Sequence, residues 1–558
     1  MAETVPVKLI IIGGVAGGAS AAARARRCNE AAEIILFEKD EHVSFANCGL
    51  PYYIGEEIFE REKLLVATPE LFKQRFNIDV RTKHLVQSIN FDRKTVAVLN
   101  RVTGETFEEL WDRLILSPGA APIVPPLPGI DAENVFTLRN LNDADTIKNY
   151  IKQNQCQSAV VVGAGFIGLE MVEQLHRLNI STELVELQQQ VLPPLDSEMA
   201  RLIQDELTVH GVNVHLGTAL EKVTVEGSAA VGVELGNGKS LNADLVILGI
   251  GVAPAIALAK DSGIEIGNFG GIAVNEYMQT SHPDVYAVGD AVEYRHGVLN
   301  HPLRIPLAGP ANRAGRIAGQ HAVTSNADPM VSPVGTAIVR VFGLTAAMTG
   351  LSKKFAEKAK RTNRSVIVVP KHHAGYLPGA ESLFLKLTYD PETEQVLGAQ
   401  AVGREGVDKR IDVIATVLKF RGTIRDLAGL DLAYAPPFGS AKDPVHIAAF
   451  VASNDLDSLT SIIEVDADLS EFQILDVRSV KEVETFRFPE IVHIPVDELR
   501  QRLDELDASQ PIVTVCHTGL RAYVAARILK QSGFKNVQNL TGGMLMQRYV
   551  RPDLFPQS

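Results

Sequence analysis

A multidomain α/β chain is what this sequence predicts, on three observations. Two units of apolar strand, glycine-rich turn and helix open at Gly13 and at Gly163. At 558 residues the chain is too long for a single hydrophobic core. Its composition, 46% hydrophobic and 22% charged with 44 glycines, is that of a globular protein mixing strands and helices. The net charge of −13 and the lack of a long Lys/Arg run argue against a nucleic-acid partner. No stretch reaches the roughly 18 apolar residues of a membrane span. The apolar start Val7–Ile12 runs straight into glycines and then Arg24, Arg26 and Arg27, as a buried strand does and a signal peptide does not. Four cysteines with no close pair fit a reducing compartment, so a cytoplasmic protein without membrane partner or metal site is expected.

The first unit pairs a buried strand, Leu9–Ile12, with the turn Gly13, Gly14, Val15, Ala16, Gly17 and Gly18 and an Ala-rich helix to Arg27. A second strand, Ile34–Phe37, ends in Glu38. Small residues let backbone N–H groups approach a pyrophosphate at the helix N-terminus, and the acid accepts hydrogen bonds from the ribose. Val15 stands where a middle glycine is usual. Ser117-Pro118-Gly119-Ala120 is a small-residue turn after another strand. The second unit carries a full G-x-G-x-x-G at Gly163, Gly165, Phe166, Ile167 and Gly168, and its next strand ends in Glu186. Glu186 repels a 2′-phosphate and 187–195 offers no Lys or Arg, so NADH is expected over NADPH. A further strand closes on Gly289-Asp290.

Two such turns followed by the Gly-Asp strand resemble the pyridine-nucleotide disulfide reductase family, over about residues 5–450. The resemblance implies FAD on the first turn, with Glu38, Lys39, Ser117, Gly119, Gly289 and Asp290, the last two reaching the flavin's ribityl chain and phosphate. It implies NADH (or NADPH) on the second turn. The implied fold has two Rossmann-like domains, with residues 1–145 and 251–330 binding FAD and 146–250 binding NAD(P)H. Residues 331–450 form an α+β dimerisation domain, with strands at 337–341 and 384–389 and a helix around Ile411.

Cys48 stands alone in Ser44-Phe45-Ala46-Asn47-Cys48-Gly49-Leu50-Pro51-Tyr52, the next cysteine downstream being Cys156. Its sulfur therefore pairs with something other than a neighbouring thiol. Gly49 and Pro51 predict that Cys48 opens a helix, whose dipole and free N–H groups lower the thiol pKa. The motif is similar to that of coenzyme A-disulfide reductases and their persulfide-reducing relatives. That likeness implies coenzyme A contacts from Ser20, Arg24, Arg27, Ser44, Asn47, Asn312 and Lys442. Phe76 stands where a related sequence has lysine, leaving Lys73 or Arg75 to meet the phosphates. Tyr376 and Tyr434 match tyrosines that reach the partner's active site, which implies a homodimer. Without the likeness the arginines read as a solvated helix face and the tyrosines as core or interface residues.

The acidic stretch 451–470 reads as a linker. Beyond it, Phe472–Arg478 and Ile512–Val515 read as strands, the second feeding Cys516-His517-Thr518-Gly519-Leu520-Arg521 and then a helix from Ala522 to Lys530. A short loop around a cysteine at a helix N-terminus aims several N–H groups at one point and stabilises a thiolate or a persulfide anion. Gly519 permits the loop's backbone, and Arg521 adds positive charge or braces it. A phosphatase is the rival reading, but its loop is usually one residue longer. The segment resembles a rhodanese, an α/β sulfurtransferase domain assigned to 471–558.

Together these resemblances imply an FAD-dependent, NADH-driven reductase of coenzyme A disulfides, persulfides or polysulfides. Cys48 would form a mixed disulfide with coenzyme A, and Cys516 would supply sulfane sulfur. Carriage on the pantetheine arm and a swing of the linker stay equally open. So do an NADH oxidase or peroxidase cycling a cysteine sulfenic acid, and a redox sensor with no catalytic turnover.

Overall fold

The computed structural model describes residues 6–485 and 491–555. They form two compact units, residues 1–187 with 217–335 and residues 188–216 with 336–558.

The first unit holds both nucleotide folds. Its first sheet is parallel, in the order Val285–Ala287, Arg113–Leu116, Lys8–Ile12, Glu33–Phe37, Asp79–Arg81. Leu9, Ile10, Ile11, Leu114 and Ile115 are wholly buried, in a core they share with the helices and with Val86, Ile89, Val96 and Val98 of a three-stranded antiparallel sheet, so each strand must be apolar throughout. Helix Ala16–Cys28 follows the central strand, and helix Ala308–Thr324 packs along it. Glycines permit this contact. A Cβ on Gly315 would lie 2.1 Å from the Gly17 carbonyl oxygen, and one on Gly319 would lie 2.2 Å from that of Ala21. Arg26 is not on a solvated face: it is buried and donates to the carbonyls of Glu30, Phe76 and Asn77, tying the helix end to the Pro69–Phe76 segment. The second nucleotide fold repeats the plan, with Ser181–Glu186, Ser158–Val162, Leu245–Leu248 and Val135–Phe136 in parallel order.

The second unit holds two sheets. One is antiparallel and five-stranded, in the order Ala337–Val341, Leu344–Gly350, Val396–Gly403, Leu383–Tyr389, Arg364–Val368. The sequence reading found only two of these strands. Leu344–Gly350 and Val396–Gly403 are rich in small residues, and the second is buried along its whole length while the first is buried or half-buried without alternation, so the period-two pattern that marks a strand is missing. Lys386 is 1% exposed and is neutralised by Asp196, at 2.8 Å, and by Glu198. Asp196 also accepts from Gln400 at 2.6 Å and from the Lys353 and Lys354 amides.

The other sheet is parallel, in the order Ser461–Ile463, Val537–Leu540, Ile512–Val515, Gln473–Asp476, Ile491–His493. This corrects the linker reading of 451–470. Helix Pro444–Leu456 runs into that stretch, and Ser461–Ile463 is the sheet's edge strand, with Ile463 buried. A strand of three residues amid acidic neighbours leaves almost no pattern in a sequence.

Replacing Lys386 by alanine strands two buried carboxylates, so K386A is expected to lower stability by about 3–5 kcal/mol in urea titration. K386M together with D196N and E198Q should recover most of the loss.

Candidate functional site

In the first nucleotide cradle Gly13 has φ +95°, and a Cβ there would sit 2.1 Å from the Ser117 carbonyl oxygen. A Cβ on Gly18 would sit 1.8 Å from that of Gly13. Only glycine closes this turn. The middle position is different: Val15 and Gly165 occupy the same place in the two folds with almost identical backbone angles, φ −88° and −80°, and a Cβ on Gly165 meets nothing within 4 Å. Valine therefore fits where the usual glycine is missing. Helices Ala16–Cys28 and Phe166–Arg177 both begin without a side-chain cap or an acidic residue in the first turn, so their leading amides suit an anion.

Glu38 Oε2 accepts from Gly14 N at 2.8 Å and Oε1 from Asp40 N at 3.0 Å. Burial raises its pKa, and the two amides partly offset this. Glu186 repeats the device, accepting from Ala164 N at 2.7 Å. A cavity of about 270 Å³ is lined by Gly14, Glu38 and Lys39 together with Ser117, Gly119, Gly289 and Asp290. Burial pushes Asp290 above the usual carboxylate range, and Arg139 acts against it. The glycine turn, the acid at the strand end and the acid beyond fit the two ends and the middle of FAD. Arg139, which also lines this cavity, escaped the sequence reading; its only signal was its place just before the Asn140–Asp143 capping box.

A second cavity, of about 540 Å³, shares Ala16, Phe45 and Asn47 with the first. It gathers Ser20, Arg27, Ser44, Asn47 and Asn312, five of the residues expected at coenzyme A. Ser20 Oγ donates to Asn312 Oδ1 at 2.5 Å across the two packed helices. Arg75 and Phe76 both line it, whereas Lys73 is tied to Asn77 Oδ1 at 3.0 Å, so of Lys73 and Arg75 it is Arg75 that lines the groove. Arg24 is not among the lining residues; its guanidinium is held by Gln320 Oε1 at 2.5 Å. Arg316 was missed. It lies on the same helix as Asn312, one turn on, a periodicity visible only once Ala308–Thr324 is known to face the groove.

Cys48 sits inside a 3₁₀ turn, Asn47–Gly49, that leads into the five-residue helix Leu50–Ile54. Both its amide, at 3.1 Å, and its thiol, at 3.8 Å, point to Asn47 Oδ1. The lowered pKa expected from a helix start is not found. Although the residue is exposed, the protein packed about its sulfur costs it hydration, and Glu170 and Asp290 add negative charge, so the thiol pKa is raised. A helix of five residues has too little dipole to outweigh this. Glu170, on the second nucleotide helix, accepts from Tyr52 Oη at 3.1 Å; neither residue was foreseen.

In the second unit Tyr376 and Tyr434 are surface residues, 75% and 49% exposed, rather than core, with their hydroxyls 3.3 Å apart. Lys442 is exposed as well. Cys516 follows the central strand of the parallel sheet and is 1% exposed, its Sγ accepting from Gly519 N at 3.1 Å. Gly519 has φ +105°. Arg521 forms a two-pronged pair with Glu482, at 2.6 and 2.7 Å, which holds that carboxyl far below its usual range. Arg521 is thus ion-paired with Glu482 rather than left as an unmatched charge.

Two dinucleotide folds with a lone exposed cysteine mark a nucleotide-dependent thiol oxidoreductase, here joined to a cysteine loop on a separate parallel sheet. The chain belongs to the pyridine nucleotide-disulphide oxidoreductase family, whose model matches residues 7–315, with the family's dimerisation domain at 336–444 and a rhodanese-like domain at 461–545. Coenzyme A disulfide reductase of Staphylococcus aureus (strain bovine RF122 / ET3-1) is 38% identical over 447 residues, covering 80% of this chain and 99% of that protein. The crystal structure of reduced Bacillus anthracis CoADR-RHD superposes with a TM-score of 0.96 at 43% identity, covering 99% of both chains. The NAD-dependent persulfide reductase of A. fulgidus gives 0.91 at 40% identity, covering 97% of this chain and 99% of that one.

The raised Cys48 pKa has a measurable sign. In the nucleotide-free chain, iodoacetamide should label Cys48 with a midpoint above about 8.5, the ordinary thiol value. E170Q and D290N should each move the midpoint to lower pH. An unmoved midpoint in both variants would contradict the assignment of these charges.

Proposed function

We propose that this chain is an FAD-dependent, NADH-driven reductase of coenzyme A disulfides, persulfides or polysulfides. One observation carries the proposal: a groove lined by Arg27, Arg75, Arg316, Ser20 and Asn312 meets the flavin cradle at Asn47, the residue next to Cys48. Three arginines suit the phosphates of a nucleotide thiol, and Asn47 marks where its sulfur end would arrive. The names borne by the relatives point the same way. A sulfenic acid cycle on oxygen or peroxide needs no such groove, which places the oxidase reading second.

Bound FAD supplies the two-electron redox chemistry, with the pyridine nucleotide as hydride source. The residues of the chain do the rest. Cys48 as thiolate attacks a coenzyme A disulfide, bonding to one half and releasing the other as thiol. Two electrons delivered to this mixed disulfide free the second coenzyme A and restore the thiolate. Asn47 orients the sulfur, and Arg27, Arg75 and Arg316 anchor the phosphates. With a persulfide as substrate, the released product is hydrogen sulfide. We assign the active form as a homodimer, in which Tyr376 and Tyr434 serve the Cys48 of the other copy and a phenol donates a proton to the leaving thiolate, with Lys442 as a contact to coenzyme A. Cys516 accepts sulfane sulfur as a persulfide. A reducing cytoplasm suits both thiols.

Mass spectrometry of the non-reduced chain tests this directly. A coenzyme A adduct on the Cys48 peptide supports it; an oxidised Cys48 without coenzyme A supports the oxidase. C48S should abolish NADH-dependent reduction of coenzyme A disulfide and leave thiosulfate sulfurtransfer intact, and C516S should do the reverse. R75A and R316A should each raise KM for coenzyme A disulfide about tenfold, the size of one charge-assisted hydrogen bond.

A further inference from the structure

The strand Arg364–Val368 is the edge of the antiparallel sheet, and an open edge offers unpaired amides and carbonyls. At Ile367 that edge is taken. Ile367 N donates to Thr541 Oγ1 at 2.6 Å, Thr541 Oγ1 donates to Ile367 O at 3.1 Å, and Gly542 N donates to the same oxygen at 3.0 Å. Thr541 and Ile367 are both buried. The far side of this turn touches the sulfurtransferase loop. Met544 N donates to Cys516 O at 2.9 Å and Leu545 N to His517 O at 3.0 Å, and a Cβ on Gly543 would lie 2.7 Å from both carbonyl oxygens. The path from the edge strand to the Cys516 backbone is thus a few residues long. Other contacts hold the same junction: Phe384 meets Tyr549 edge-on at 5.7 Å, and Lys353 pairs with Glu464 at 3.0 Å.

We propose that the dimerisation domain completes the sulfurtransferase site, with Thr541 as a positioning residue that ties the Cys516 loop to the backbone of Ile367. This rests on the sulfurtransferase half of the function proposed above. The transfer itself is ordinary: the Cys516 thiolate attacks the outer sulfur of thiosulfate, the sulfur–sulfur bond breaks, and sulfite leaves with the electron pair. Cyanide then takes the terminal sulfur as thiocyanate and restores the thiolate. The contribution of Thr541 is to hold the nucleophile in line. A small misplacement of a nucleophile costs rate rather than binding.

The test uses the full-length chain with thiosulfate and cyanide. Valine matches threonine in shape but can neither accept from nor donate to Ile367. T541V should lower kcat at least about tenfold with KM little changed, while coenzyme A-disulfide reduction continues at the wild-type rate. T541S, which keeps the hydroxyl, should restore kcat. Should T541V fail to fold, G542A serves instead, because its methyl would meet Met546 Cβ at 2.7 Å and Ile367 Cγ2 at 3.2 Å and so prise the junction apart. Wild-type kcat in T541V, or in G542A where that is the variant measured, overturns the inference. A wild-type chain that transfers no sulfur at all overturns the underlying reading instead.

Discussion

The first unit depends on how closely two helices approach each other. Where Ala308–Thr324 lies on Ala16–Cys28, Gly315 and Gly319 leave no room for a side chain between the backbones. That approach does two things at once. It fixes the first turn of Ala16–Cys28 under Ser117 and Val288, where the cradle needs its amides, since a Cβ on Gly17 would lie 2.9 Å from Val288 Cγ2. It also brings Asn312 and Arg316 across from Ser20 and Arg27 to make a groove of about 540 Å³. A wider helix spacing would separate these pairs and loosen the cradle together. The two cavities are built on one helix contact, and Asn47 lines both.

Electrostatics divides labour between the two thiols. Burial of its sulfur, and after that the charges of Glu170 and Asp290, disfavour Cys48 as thiolate in the protein alone. Its activation therefore falls to what binds beside it rather than to its own short helix. Cys516 is buried under its loop with an amide already aimed at its sulfur. The one cation of that loop is matched by Glu482. Such a loop cradles a singly charged sulfur better than a phosphate dianion, which agrees with a sulfurtransferase and not a phosphatase.

Much of this was legible in the chain. Gly13, Gly18, Gly163 and Gly168 announced both nucleotide folds because close backbone approach admits no other residue. Glu38 and Glu186 ended their strands as expected. Ser20, Arg27, Ser44, Asn47 and Asn312 came through the resemblance and converge on one groove. The misses have physical reasons. Arg316, Arg139 and Glu170 are ordinary charges on helices or turns, and only packing selects them. Arg24 and Arg26 look the same as Arg27 in sequence, yet one bonds Gln320 and the other is buried under carbonyls. The pKa of Cys48 went the other way because a local helix argument counts neither the burial of the sulfur, which is the larger cause, nor carboxylates from distant segments.

Ser461–Ile463 carries a practical lesson about where this chain can be cut. It pairs with Val537–Leu540, and Thr541 N reaches back to Ile463 O at 3.1 Å. A fragment begun at residue 471, where the sequence suggested a boundary, would lack that border strand. It would bare a row of ladder groups along Val537–Leu540 and invite copies of the fragment to stitch together there. Anyone wishing to isolate the C-terminal fold should start upstream of Ser461.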